Sequence, residues 1–481
     1  MDRVAEVGRL HRALQHAANR RRDGEVHVRD PERKDLGRVR RPLLAAARAL
    51  HRRVDGVELG RGGPGVEIAR GIAHAREHTA RRRRDRAPAR LRATARIVRL
   101  RAGLSSPARA RTRGEREAAV ADPAHFSADY AEARRRFLAA AEARGARLAA
   151  YAVPARGPRG EELAVDVAYV GPEAPVAVLA VSSGIHGAEG FAGSALQHQL
   201  LAEQLDGLAL PRDAGLLLVH ALNPFGFAGL RRVNESNVDL NRNFVRHPEG
   251  HAPNPDYDAL YPYVNPDSLD EESEAESRAA LLAFAQREGF RRLQDVLTRG
   301  QYAHPRGVQY GGARDEASNR ALREIALRET RGARRVAWID VHTGLGPYGE
   351  VEVISELAPE DAGLRRARAV WGGAVKTTAS GESISAAVCG ALDGALAAEL
   401  ADRELTMGCA EFGTFDPVRV FWATRADNWL HAHGDPDSAQ GRAIRAEMLE
   451  VFRPADPAWR RRVLALGARL VQQARDGLAG P

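Results

Sequence analysis

Three apolar runs, each ending in small or polar residues, most narrowly limit what this chain can fold into. VAVLAVSSG (176–184), GLLLVHALNP (215–224) and RVAWIDVHTG (335–344) read as buried strands, because a strand covered on both faces has no polar alternation. LTMGCAEFGT (405–414) repeats the form more weakly, and ELAVDVAYV (162–170) alternates as a half-buried strand does. Between them lie helical stretches at 126–148, 270–286 and 459–474. Strands alternating with helices predict an α/β fold with a central mixed, mostly parallel sheet flanked by helices. Ligands in such folds collect at the carboxyl ends of the strands. The polar residues of these runs fall at those ends.

Charge divides the chain. Residues 1–120 hold 32 basic and 14 acidic side chains, a balance of +18, and the remaining 361 residues bring the total to +9. The expected organisation is an Arg-rich, poorly ordered extension over 1–122, a catalytic domain over 123–475 and a tail over 476–481. A nucleic-acid-binding arm is the remote alternative for the extension, since arginines neutralise phosphates. No aromatic precedes Phe126 to stack on bases, so nucleic acid is not the expected partner. An apolar content of 44% excludes global disorder. No run approaches the ~18 apolar residues of a membrane span. The N-terminus shows no apolar signal core and there are two cysteines, so a cytoplasmic protein without a disulfide framework is expected.

Four blocks carry chemistry. In SSGIHGAEGFAGS (182–194), His186 and Glu189 flank a glycine turn that lets an imidazole and a carboxylate converge, as zinc requires. In WIDVHTG, His342 ends a strand and Asp340 lies two residues earlier on the same side, placed to orient a ligand. NPFGFAGLRRVNESNVDLNRNF (223–244) gathers Arg231, Arg232, Asn234, Asp239, Asn241 and Arg242, and an Asn-Arg pair suits a carboxylate. In CAEFGT, Glu411 ends an apolar strand, where an ionisable group is costly unless paired or functional. Cys409, two residues earlier, reads as a small buried residue and His220 as a satisfied strand histidine. The proline- and aromatic-rich stretch 247–270 reads as a long loop at a site's rim.

In this order the four blocks resemble the zinc carboxypeptidase superfamily, which includes carboxypeptidase A-like peptidases and aspartoacylase-like deacylases. HGAEGFAGS, NVDLNRNF, DVHTG and EFGT look most like a bacterial branch labelled domain of unknown function 2817. The resemblance covers about residues 123–475. It implies one zinc per chain held by His186, Glu189 and His342, with Glu411 as general base. It implies that Asp239 orients the first histidine, that Asn241 and Arg242 hold a substrate carboxylate, and that Arg232 or Arg231 polarises the scissile carbonyl. The activity implied is hydrolysis of an amide or peptide bond beside a free carboxylate, on a small peptide or an N-acyl amino acid. One departure stands out: the family's tyrosine some twenty residues before the catalytic glutamate has no counterpart, which leaves Tyr310 or His304 as loop-borne substitutes and draws the N-acyl-amino-acid deacylase reading closer.

Overall fold

The computed structural model describes residues 121–479. The expectations for the Arg-rich extension fall on residues outside that range. An eight-stranded sheet runs in the order β1-β2-β4-β3-β5-β8-β6-β7. The strands are β1 (Arg147–Arg156), β2 (Glu162–Val170), β3 (Ala177–Ser183), β4 (Ala214–His220), β5 (Arg335–Gly344), β6 (Val351–Ser355), β7 (Val375–Thr377) and β8 (Glu404–Gly413). The four central strands β4, β3, β5 and β8 are parallel. Antiparallel pairings join β1 to β2, β2 to β4, and β6 to β8. The sheet is therefore mixed with a parallel centre, as the sequence predicts.

Every residue of β3 and β4 is buried, which is why both read as unbroken apolar runs. Val178, Leu179, Val181, Leu216, Leu217 and Trp338 are at most 1% exposed and form the middle of the core. Each such side chain contributes about 1.5–3 kcal/mol by leaving water. The helices Tyr130–Ala143, Gly190–Gln199 and Pro457–Ala479 pack on one another, and Ala317–Glu329 packs with Leu392–Glu399. Asp129 caps the first of these by accepting the Glu132 N–H at 2.8 Å. The last helix continues through residue 479, past the tail boundary placed at 475, because Val471, Ala474 and Leu478 keep its apolar stripe buried.

Stretch 247–270 is not a structureless loop. Asn254 and Pro255 open a helix over Pro255–Val264, with the Asn254 side chain accepting the Tyr257 N–H. That helix packs with Glu271–Glu288 and Phe290–Thr298 around a second apolar cluster that includes Tyr257, Val264, Leu281 and Phe284. Arg425, 1% exposed, ties the helix Pro417–His433 to this layer through Glu274 and Ser277. Among the described residues no helix is long and apolar enough to cross a membrane.

Phe137 shows how the outer helix is held. It is 0% exposed and stacks on His220 with ring centroids 4.6 Å apart. Burial pushes the His220 ring down to about 3, so it packs as a neutral aromatic. Phe137→Ala is expected to lower unfolding free energy by about 3–5 kcal/mol, read from urea denaturation.

Candidate metal centre

The centre begins where β3 ends. Gly184 adopts φ +64, a left-handed conformation that turns the chain out of the sheet. His186 follows, then the 3₁₀ turn Gly187–Glu189, then the helix Gly190–Gln199. Gly187 admits no side chain: a Cβ there meets Gly226 C at 2.0 Å. The close approach lets Gly187 N–H donate to Arg232 O at 3.1 Å and Ala188 N–H to Arg231 O at 2.7 Å. The turn bearing His186 and Glu189 is thereby stitched to the 223–244 segment.

His186, Glu189 and His342 converge, each 3% exposed or less. His186 Nδ1 lies 2.9 Å from Glu189 Oε1, and His342 Nδ1 lies 3.2 Å from Glu189 Oε2. The opposite nitrogens face carboxylates: His186 Nε2 is 3.0 Å from Asp239 Oδ1, and His342 Nε2 is 2.7 Å from Asp340 Oδ2. Nε2–H on each carboxylate leaves both Nδ1 atoms as lone pairs directed at one point. Arg232 Nη2 is also 2.9 Å from His186 Nε2, and in this assignment it is a close positive neighbour rather than a donor. His186 Nδ1 is buried and, despite its nearness to Glu189, lacks the angular geometry of a hydrogen bond. Two imidazoles and a carboxylate with an orphaned buried nitrogen fit a catalytic zinc, which takes three protein ligands and keeps a position open.

Charge makes the same case. Glu189, Asp239, Asp340 and Glu411 are at most 7% exposed. Arg232 and Arg242 are the guanidiniums among them, with side chains 16% and 5% exposed. Four buried carboxylic groups thus face two guanidiniums, an excess of acidic groups that a cation would offset. Burial opposes ionisation of Glu189, but its contacts with His186 and His342 and the nearby Arg232 guanidinium outweigh it and hold its carboxyl below the usual range. Burial and the nearby Glu189 push Glu411 above that range, against His342 and the Leu345 N–H.

Of the expected site residues, the structure brings His186, Glu189, His342, Glu411, Arg232, Asp239 and Asp340 together. Glu411 stands opposite His342 in the β5–β8 register, and its Oε1 accepts the Leu345 N–H at 2.8 Å. Arg232 reaches Glu189 Oε1 at 2.8 Å and Asp239 Oδ2 at 3.2 Å, so of the two adjacent arginines it is the one at this cluster. Arg231 is not in the site: its side chain turns the other way, to Asn237 Oδ1 at 3.0 Å and Asp427 Oδ2 at 3.6 Å.

Tyr310 is a further correction. It is a core residue, 7% exposed, and its contribution is its carbonyl, which accepts the Asp239 N–H at 2.8 Å. His304 stacks on Tyr261 at 4.2 Å and meets Asp258, in the helical layer. The tyrosine that touches the polar segment is Tyr302, whose hydroxyl donates to Arg242 O at 2.6 Å. Asn241 and Arg242 lie beside Asp239, yet the backbone occupies them. Asn241 Oδ1 accepts the Leu392 N–H, and Arg242 donates to the carbonyls of Thr298 and Asn241. The remaining asparagines of the segment shape loops: Asn234 Oδ1 accepts the Val238 N–H, and Asn243 binds Gly311 O and the Glu316 N–H. Satisfying backbone groups is their reason for being buried.

Two residues behind the centre, Ser182 and Trp338, open two of the quoted blocks but are given no role by the sequence. Trp338 Nε1–H donates to Ser182 Oγ at 2.8 Å, and Ser182 donates to Asp340 Oδ1 at 2.6 Å. Asp340 is thus held at Oδ1 by Ser182 while its Oδ2 meets His342. Ser182 and Asp340 lie on neighbouring strands and face each other in register. Asp239→Asn and Asp340→Asn are each expected to weaken metal binding about 10–100-fold, and Ser182→Ala by less, measured by competition with a chromogenic chelator.

The chain was compared with known proteins. A family model described as a protein of unknown function, DUF2817, matches residues 126–466. No curated protein matches. Among solved structures, the chain is similar to bovine thrombin-activatable fibrinolysis inhibitor in complex with tick carboxypeptidase inhibitor, at 12% identity and TM-score 0.39, covering 74% of this chain and 98% of that one. It is similar to a metallo-carboxypeptidase from Burkholderia cenocepacia, at 14% identity and TM-score 0.34, covering 72% and 68%. It is similar to the succinylglutamate desuccinylase from Chromobacterium violaceum, at 15% identity and TM-score 0.30, covering 67% and 75%. With its match spanning most of the sequence, the chain belongs to the DUF2817 family.

Proposed function

We propose that the protein is a zinc-dependent hydrolase of an amide or peptide bond adjacent to a free carboxylate, with one zinc per chain held by His186, Glu189 and His342. The observation that carries this reading is the convergence of two carboxylate-backed imidazoles on Glu189, with Glu411 on the neighbouring strand. Zinc bound there supplies Lewis acidity, which acidifies water and polarises a carbonyl. The rest is done by the protein. Glu411, buried and held by the Leu345 N–H, takes the proton of the attacking water and returns it to the leaving amine. Its raised proton affinity suits a group that must both accept and donate near neutral pH. Arg232, anchored on Glu189 and Asp239, presents its remaining N–H groups to the oxygen that gains charge. Asn241 and Arg242 follow Asp239 in the chain, where a substrate carboxylate competes with the carbonyls of Thr298 and Asn241 for the Arg242 guanidinium.

Two substrate classes meet this description: small peptides cleaved at the C-terminus, and N-acyl amino acids. The second is favoured by how closed the centre is, with His186, Glu189 and His342 all 3% exposed or less, which suits a small acyl group over an extended peptide. Zinc-loaded protein assayed against both panels is expected to release amine from one of them. Glu411→Gln should cut kcat by about 10²–10⁴-fold with zinc content unchanged. Absence of turnover on both panels, or full activity in Glu411→Gln, contradicts the reading.

A further inference from the structure

Beside the first set of metal-binding atoms lies a second that contains sulfur. Cys409 and Glu411 share a face of β8, because side chains two apart on a strand point the same way. In register across β5, Cys409 pairs with Asp340 and Glu411 with His342. The thiol of Cys409, a ring nitrogen of His342 and a carboxylate oxygen of Glu411 consequently lie within 4.8 Å of one another. Glu411 is 7% exposed, and its Oε1 accepts the Leu345 N–H at 2.8 Å. Cys409 is itself only partly buried and forms no disulfide.

Ligand softness separates the two sets. The first offers two imidazoles and a carboxylate, which suit zinc, whereas a thiolate favours soft cations. We propose that His342, Cys409 and Glu411 form an alternative site for a thiophilic divalent cation such as Cd²⁺. Binding forms a sulfur–metal bond, and the thiol proton leaves to solvent. His342 has one nitrogen to give, since Asp340 holds Nε2 at 2.7 Å, so the two positions exclude each other. A soft cation in the second position withdraws His342 from the first and engages Glu411, and hydrolysis stops. This consequence rests on the hydrolase reading; the site itself does not.

The test is titration of the metal-stripped full-length protein with Cd²⁺, read by thiolate-to-metal charge-transfer absorption and by X-ray absorption for a sulfur neighbour. One Cd²⁺ per chain with a single sulfur is expected in the wild type, in Cys389→Ser and in His186→Ala, which removes only the first set. Cys409→Ser should lose the band. Three results overturn the proposal: no sulfur neighbour in the wild type, loss of the band in His186→Ala, or its persistence in Cys409→Ser. Should Cys409→Ser fail to fold, loss or retention of the band in Cys389→Ser assigns the sulfur instead. Zinc-dependent hydrolysis without a thiolate band removes this inference alone, and a thiolate band without hydrolysis removes only the hydrolase reading.

Discussion

Buried negative charge is what the centre is organised around. Glu189, Asp239, Asp340 and Glu411 sit in one volume largely closed to water, and Arg232 and Arg242 offset only half of their charge. Taking a carboxylate out of water costs several kcal/mol unless it is paired. The histidines do not close the gap while they are neutral. Each has one nitrogen committed to an aspartate and the other turned to Glu189. On the proposed reading, a divalent cation at that point would offset this charge and occupy both free ring nitrogens, which would couple the fold to its ligand.

The sheet brings these groups together. Parallel β3, β5 and β8 end on the same side, so residues more than 200 positions apart, from His186 to Glu411, meet without any long-range loop having to reach across. The antiparallel edge strands extend the sheet and leave that convergence untouched. The turn after β3 is the least tolerant part, because Gly187 lies against Gly226 with no room for a side chain. The same hydrogen bonds that stitch it to Arg231 and Arg232 deliver the Arg232 guanidinium to Glu189.

Much of this was legible in the sequence, for physical reasons. Strands buried on both faces leave continuous apolar runs, and β5 falls at the predicted 335–344. β1 and β7 are edge strands and β6 lies beside β7; all three are less apolar, two of them short, and leave no comparable signature. The convergence of His186, Glu189 and His342 was readable because their spacing and strand-end placement bring them to one point. The polar cluster at 223–244 was not, since composition cannot separate an arginine aimed at Glu189 from its neighbour aimed at Asp427. Tyr310 could be read as a hydroxyl on a loop, whereas what the fold uses is its carbonyl. Ser182 and Trp338 become visible only when the β3–β5 register is known.

The central claim is that His186, Glu189 and His342 hold one metal ion. Its most direct measurement is metal analysis of the purified protein beside the His186→Ala, His342→Ala double variant, both offered zinc and then dialysed. The account predicts about one zinc per chain in the parent and none in the double variant, with both folded by circular dichroism. A folded parent that retains no zinc, or a double variant that retains as much as the parent, contradicts it.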